Sequence, residues 1–174
     1  ASTPIVDVKL QSENIKKLTG FRPNKFAVGP EVWRYLSEHP DIVDRIKYTS
    51  GNDRPAVVTK KAVAALFELD EVMVADGIQV TSAENPSFET SMTAAFIAGK
   101  AGLLVYAAPA PSLMQPSGGY TFSWTGYTGA GPMGQRVSRF RMEHLKADRV
   151  EGEMAFDQKI VCSDAGVYFT TLVA

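Results

Sequence analysis

Residues 19–30 read TGFRPNKFAVGP, and this stretch changes the predicted local structure three times. Apolar residues from 5 to 18 precede it at helical spacing. Gly20 is suited to end that helix, because glycine tolerates the left-handed backbone of a C-cap. A turn follows, residues 25–29 are short and extended, and Pro30 opens a second helix. The stretch therefore predicts a helix, a strand and another helix in close succession.

Apolar periodicity extends this alternation beyond the second helix. The helix that Pro30 opens is ended or kinked at Pro40, and residues 41–46 can form another short helix. Thr59 suits the N-cap of a further helix, because its hydroxyl can accept a hydrogen bond from a free N–H of the first turn. Residues 71–75 alternate as a strand. The first part of the chain is therefore predicted to alternate helices and strands.

After residue 100 the apolar period changes to two, which is typical of strands. The strands predicted on this ground are 103–107, 120–124, 137–145, 153–162 and 167–173. The residues Ser163-Asp164-Ala165-Gly166 suit a tight turn between the last two strands. We therefore expect an antiparallel sheet in the C-terminal third and an α+β fold for the chain.

Composition excludes several classes of protein. The 174 residues are 45% hydrophobic and carry a net charge of −1, which disfavours both disorder and a strongly basic nucleic-acid binder. A single cysteine excludes an internal disulfide, and with only two histidines a metal site is not expected. The longest uncharged run is broken by Gly, Pro, Ser and Thr, so no membrane span is predicted.

Residues 99–134 have an unusual composition. They contain 8 of the 14 glycines and 4 of the 10 prolines, and Lys100 is their only charged residue. Five tyrosine, phenylalanine and tryptophan side chains in the same region argue against a disordered linker. We therefore predict surface loops at 108–119 and 126–134, with the strand 120–125 holding their bases.

Gly129–Gly134 matches the pattern G-x-G-x-x-G, in which glycines let backbone amides approach a pyrophosphate. A dinucleotide site requires a helix after the glycines, inside a βαβ unit. The residues that follow alternate as a strand from 137 to 145. The pattern is therefore interpreted as a flexible loop, with a nucleotide-binding loop as the alternative.

Cys162 is a candidate thiol nucleophile, with His144 as its base and Asp148 or Asp164 as the group that orients the histidine. Within the predicted strand it shares a face with Phe156 and Ile160, among other apolar residues. We therefore predict a buried, unreactive thiol. No G-x-S-x-G elbow is present to expose a nucleophilic serine.

Charged groupings are also interpreted as structural. In the predicted strand 71–75, side chains alternate between two faces, and Val72 and Val74 share one of them. This pattern does not place two of the nearby carboxylates together in one pocket, where their pKa values would be shifted. These carboxylates, like the two basic pairs of the chain, are predicted to be solvated. The carboxylates are Glu68, Asp70, Glu71 and Asp76, and the basic pairs are Lys60 with Lys61 and Arg139 with Arg141. We predict no catalytic residue, cofactor or metal.

Several spaced motifs resemble the major capsid (coat) proteins of tailed bacteriophages and prophages, whose shell fold is shared with encapsulins and herpesvirus capsids. The resemblance runs from about Ile15 to the end of the chain. The motifs that carry it lie at 19–29, 32–36, 39–49, 64–67, 72–76, 102–106, 122–124 and 157–166.

The resemblance implies two structural parts. Residues 1–22 would be the end of a spine helix in a peripheral domain, residues 23–137 an axial domain, and residues 138–174 the return strands of the peripheral domain. Members of this group begin with an extended arm and a long hairpin loop, which this sequence lacks. We therefore expect a C-terminal fragment of a longer polypeptide.

The resemblance also implies a structural role and no enzymatic activity. Pentamers and hexamers of such subunits build an icosahedral shell that encloses double-stranded DNA without sequence-specific binding, and a scaffold or a maturation protease can take part. The protein would be found in the virion, and in the bacterial cytoplasm during assembly. The alternatives are an enzyme that uses the Gly129–Gly134 loop or Cys162, and another phage particle component such as a decoration protein.

Overall fold

The computed structural model describes residues 3–50, 57–82, 93–112, 114–124, 126 and 134–173. Four α-helices lie in the N-terminal part: α1 Pro4–Thr19, α2 Pro30–Glu38, α3 Pro40–Ser50 and α4 Lys60–Phe67. The strands before residue 110 are β1 Lys25–Val28, β2 Glu71–Val74, β3 Ile78–Val80, β4 Ala94–Phe96 and β5 Gly102–Val105. Those after it are β6 Gly119–Ser123, β7 Gln135–Met142, β8 Ala147–Met154, β9 Phe156–Ile160 and β10 Gly166–Phe169. The predicted α+β content is therefore confirmed.

Helix α1 ends where the sequence predicted. Gly20 adopts φ 80°, and its N–H donates a hydrogen bond of 2.8 Å to the carbonyl of Lys16. Ile15 is buried, whereas Leu18 is 72% exposed. The expectation that Leu18 continues the buried apolar face is wrong, because in α1 this face ends at Ile15 and the residues after it lie outside the core.

The central sheet is mixed and has the strand order β10-β5-β1-β2. Strands β1 and β2 are parallel, with Phe26 opposite Val72, and helices α2, α3 and α4 lie between them in the chain. This is the crossover that a parallel pair requires. The other neighbours are antiparallel, and Leu104 of β5 lies opposite both Phe26 and Val167.

The hydrophobic core lies between this sheet and the helices. Phe26 is 6.1 Å from Phe67 and 6.5 Å from Phe169, measured between ring centroids. The predicted N-cap of α4 is confirmed, since the Thr59 hydroxyl accepts a 3.2 Å hydrogen bond from the N–H of Ala62. Every helix contributes to this core, with Ile5, Val8 and Ile15 from α1, Val32 and Leu36 from α2, Ile42 and Ile46 from α3, and Val63, Ala64 and Phe67 from α4.

The expected antiparallel sheet of the C-terminal third is replaced by three separate pairings. Strands β7 and β8 form a hairpin, β9 pairs with β6, and β10 joins the central sheet beside β5. The turn at Ser163–Gly166 therefore does not connect two paired strands, although a 3-10 turn forms at Ser163–Ala165. Pairing partners are chosen by long-range contacts, which the local period of two does not encode.

The strand predicted at 153–162 is interrupted at Ala155. Its N–H donates to the carbonyl of Gly134, and its own carbonyl accepts from the N–H of Trp124. The strand predicted at 137–145 runs instead from 135 to 142, because a 3-10 turn at Glu143–Leu145 closes the hairpin. The segment predicted at 167–173 pairs only from 166 to 169.

The central sheet combines strands from both predicted segments 23–137 and 138–174. Helix α1, from the predicted segment 1–22, packs on the same core. The division into peripheral and axial parts stays a prediction. Within the described ranges, no helix combines the length and apolar character needed to cross a bilayer.

Candidate functional site

The candidate nucleophile Cys162 lies in a different setting from the one predicted. It follows the end of β9 and precedes a 3-10 turn, and it is partly buried. Phe156 is 55% exposed and Ile160 is 82% exposed, so the predicted buried face does not exist. Among the described residues, no element packs over this face of the two-stranded β6–β9 pair. The alternation of apolar residues in the sequence therefore did not correspond to a buried face.

The predicted partners of Cys162 are engaged elsewhere or lie on other elements. His144 is exposed in the 3-10 turn that closes the β7–β8 hairpin. The Asp148 carboxylate accepts from Arg139 at 2.7 Å and from Arg141 at 3.1 Å. Both hydrogen bonds lower the pKa of Asp148 below its usual range, and the one from Arg139 has the larger effect. The described contacts therefore assemble no Cys-His-Asp site.

The glycine pattern 129–134 falls largely outside the described residues. Gly134, its last member, is buried at φ 63° and begins the approach to β7. A strand therefore follows the glycines, as the sequence predicted, and the helix that a dinucleotide site needs is absent at this position.

The carboxylates around β2 are exposed, as expected. Glu68 forms ion pairs with Lys9 at 2.7 Å and with Arg22 at 3.1 Å, which join α1 to the end of α4. Both neighbours lower the pKa of Glu68 from its ordinary value, and Lys9 has the larger effect. Glu71 pairs with Lys25 across the β1–β2 ladder at 3.1 Å. In the described part of the chain, no three His, Cys, Asp or Glu side chains group as metal ligands would.

Exposed apolar side chains occur on several elements, and some of them lie on the β7–β8 hairpin. The pairs Gln135–Met154, Val137–Gly152 and Arg139–Val150 share one face of this hairpin. On that face Val137, Val150 and Met154 are 76%, 64% and 59% exposed, and we call these three residues the hairpin patch. An isolated two-stranded hairpin is marginally stable in water. The hairpin patch is thus an apolar surface without a cover in the described structure.

A second apolar surface is concave. The loop residues 111, 112 and 114–116 lie beside β6 and border a groove of about 570 Å³. We call it the apolar groove; its described lining carries no charged side chain and includes Pro111, Met114, Pro116, Tyr120, Phe122 and Val161.

The loop that forms the groove is anchored at both ends. The buried Ser117 hydroxyl accepts a hydrogen bond from the N–H of Ala108 and donates one to the carbonyl of Gly119, each at 3.3 Å. The Tyr120 hydroxyl donates to the carbonyl of Gln115 at 3.3 Å. The predicted loop 108–119 is therefore exposed along 109–112 and 114–116 and fixed at its base.

Sequence reasoning identified the loop and the strands but not the two apolar surfaces. The signal was present in the hydrophobic residues of the hairpin, which alternate with arginines at 136, 139, 141 and 149. Their exposure became apparent only when the register of β7 and β8 was known.

Comparison with known proteins finds two phage-related proteins that are similar to this chain. The chain is 27% identical over 77 residues to a major capsid protein of Burkholderia phage BcepMu, a match that covers 44% of this chain and 24% of that protein. The crystal structure of a phage-related protein from Bordetella bronchiseptica RB50 superposes with a TM-score of 0.77 at 23% identity. That match covers 99% of this chain and 53% of the solved chain. No protein family profile matches the sequence.

These matches confirm the resemblance to phage major capsid proteins that the sequence motifs indicated. The chain spans about a quarter of the curated relative and about half of the solved chain. Its fold is that of a phage-related protein.

Proposed function

We propose that this chain is part of a phage major capsid protein, a structural subunit of an icosahedral shell that encloses double-stranded DNA. The observation that carries the proposal is the match to a phage major capsid protein, in a chain whose fold recurs in a second phage-related protein. The proposal extends to the peripheral segments 1–22 and 138–174, the axial segment 23–137, and the virion as the final location.

The surface of the molecule supports this role. A shell subunit requires large apolar contact surfaces, and contiguous exposed apolar patches are otherwise uncommon on monomeric proteins. The hairpin patch and the apolar groove are two small exposed apolar surfaces available for such contacts. Symmetric rings use contacts in which one subunit presents two different faces to its neighbours.

Other partners of the proposed shell follow from the same role. Copies of the subunit would form the pentamers and hexamers of the shell. A scaffold and a maturation protease would act on them during assembly in the host cytoplasm. The net charge of −1 suits a wall that surrounds DNA without binding it tightly, because tight binding depends on neutralising many phosphates.

The proposal is tested on phage particles. DNA-containing particles released by bacteria that encode this sequence are purified on a density gradient and digested for mass spectrometry. We expect peptides of this chain in the most abundant protein of the particle. Their absence from particles, or their presence only at the level of a minor component, would contradict the proposal.

A further inference from the structure

We infer that the hairpin patch of one copy of this chain inserts into the apolar groove of a second copy. The inference rests on the proposed function, since the neighbours of a shell subunit are copies of itself. It goes further by naming the two faces that meet.

One of the two surfaces is exposed on a hairpin and the other is concave. The β7–β8 hairpin is a projection, because nearly all of its residues are exposed on both faces. The apolar groove is a depression of about 570 Å³ between the loop at 109–116 and β6. A projection and a depression on the same chain are what a contact between non-equivalent faces of two copies requires.

The described lining of the groove and the three residues of the hairpin patch are also uncharged. The groove has no charged side chain in its described lining, so inserting a charge there would cost desolvation without a partner. On the hairpin patch, Val137, Val150 and Met154 lie beside Gly152, around which a Cβ atom would meet nothing within 4 Å. The charged residues of this face begin with Arg139, opposite Val150, and continue towards the hairpin tip, where the Asp148 carboxylate pairs with both Arg139 and Arg141.

The opposite hairpin face is a poorer candidate for the groove. There Arg149 lies over the Phe140 ring, 5.6 Å from its centroid, and also pairs with Glu151. Arg136 faces Glu153 across the same ladder. The patch face is uncharged at the end of the hairpin away from its tip, whereas the opposite face carries Arg136 and Glu153 there, and burying these charges in the groove would cost desolvation.

The size of the contact sets its strength. Three inserted side chains cover less than the roughly 800 Å² per partner of a standard stable interface. The contact is therefore weak between two isolated copies and becomes strong only when many copies close a ring. The 174-residue chain is accordingly monomeric when dilute and associates as its concentration rises.

The test uses two single variants of the 174-residue chain. Val150→Lys places a charge on the hairpin patch, and Met114→Lys places one at the groove, where Met114 is 92% exposed and contributes little to folding. Sedimentation velocity is measured for each variant alone and for an equal mixture. Leu18→Lys, at an apolar site on α1 that is 72% exposed, is the matched control.

Each variant alone is expected to associate at least about tenfold more weakly than the unsubstituted chain, because a charge must be buried without a partner. Each variant still has one intact surface. In the mixture, the intact hairpin of the Met114→Lys chain meets the intact groove of the Val150→Lys chain. Dimers then form at the concentration at which the unsubstituted chain associates, and nothing larger follows. Leu18→Lys associates as the unsubstituted chain does.

Three results would overturn the inference. The first is an unsubstituted chain that stays monomeric up to about 1 mM, the weak end of measurable association. The second is unaltered self-association of Met114→Lys with loss only in Val150→Lys, which would mean that two hairpins meet each other. The third is normal shells from the encoded full-length protein carrying either substitution. That last result would leave the proposed function intact, whereas a full-length protein that forms no shells would count against the function itself.

Discussion

Asn24 and Ala107 are joined by two reciprocal hydrogen bonds across 83 residues of chain. The Asn24 Nδ2 atom donates to the Ala107 carbonyl at 2.9 Å, and the Ala107 N–H donates to Asn24 Oδ1 at 2.8 Å. The Asn24 carbonyl also accepts from the N–H groups of Asp70 and Glu71. One side chain and its backbone thus link the entrance of β1, the start of β2 and the exit of β5.

Replacing Asn24 with alanine should therefore destabilise the protein. Two hydrogen bonds are lost, each worth about 0.5–1.5 kcal/mol, so the free energy of unfolding should fall by about 1–3 kcal/mol. Urea denaturation followed by circular dichroism gives the value. Asn14→Ala is the control, because the half-buried Asn14 of α1 donates only a 3.5 Å hydrogen bond to Gln11, and it should change the free energy of unfolding by less than about 0.5 kcal/mol. Equal effects of the two substitutions would show that the link to Ala107 contributes nothing.

Gly29 lies where no other side chain fits. A Cβ atom at this position would lie 1.8 Å from the carbonyl oxygen of Gly99, and backbone cannot move aside as a side chain can. Gly29→Ala should lower the free energy of unfolding by about 1–3 kcal/mol or more, the usual cost of overpacking. Gly152→Ala is the matched control, because its Cβ would meet nothing within 4 Å. A Gly29→Ala protein with an unchanged melting temperature would contradict this close approach.

Glu68 should contribute to the pH dependence of stability. Lys9, and to a lesser extent Arg22, lower the pKa of Glu68 in the folded state below its value in the unfolded chain. The resulting stabilisation is present above the unfolded pKa and is lost as the pH falls through the folded pKa. Thermal melts of the unsubstituted chain and of Glu68→Gln should converge at acid pH and separate towards neutral pH, with Glu68→Gln the less stable.

The control for this prediction is Glu13→Gln, an exposed glutamate of α1. It should follow the pH profile of the unsubstituted chain. Parallel profiles for Glu68→Gln and the unsubstituted chain at every pH would show that the ion pairs with Lys9 and Arg22 do not change the carboxyl's affinity for protons.

The loop at 109–116 should be the site of early proteolysis in the isolated chain. Its residues 109–112 and 114–116 are exposed, while Ser117 at its base is buried. Cuts by a nonspecific protease, mapped by mass spectrometry, should fall in this loop and be suppressed in shells of the full-length protein, where neighbouring copies would cover it. Equal protection in the isolated chain and in shells would contradict a role for the loop in contacts between copies.

Local signals predicted the N-terminal elements well, because caps and prolines act on adjacent residues. Gly20 and Thr59 occupy the caps assigned to them, and the exposure of Glu71 follows from the alternation of β2. The short strands β3 and β4 were missed, since three residues carry too little pattern. Strand β8 was missed because its charged residues obscure the period of two.

The C-terminal half was harder to predict for a physical reason. Phe156 and Ile160 have the alternation of a buried face but lie on a two-stranded pair that the described chain leaves uncovered. Alternation records which residues are apolar, whereas burial depends on what lies above them. If a neighbouring copy supplies that layer, the sequence encodes a surface that is buried only after assembly.

Electron microscopy of the encoded full-length protein tests the central claim most directly. The complete reading frame that contains this sequence is expressed, and the purified product is viewed by negative staining. Closed shells of uniform diameter, whose proteolytic fragments include this chain, are the predicted result. A product that remains a monomer or small oligomer at every concentration, with its phage partners supplied, would contradict a role as a capsid subunit.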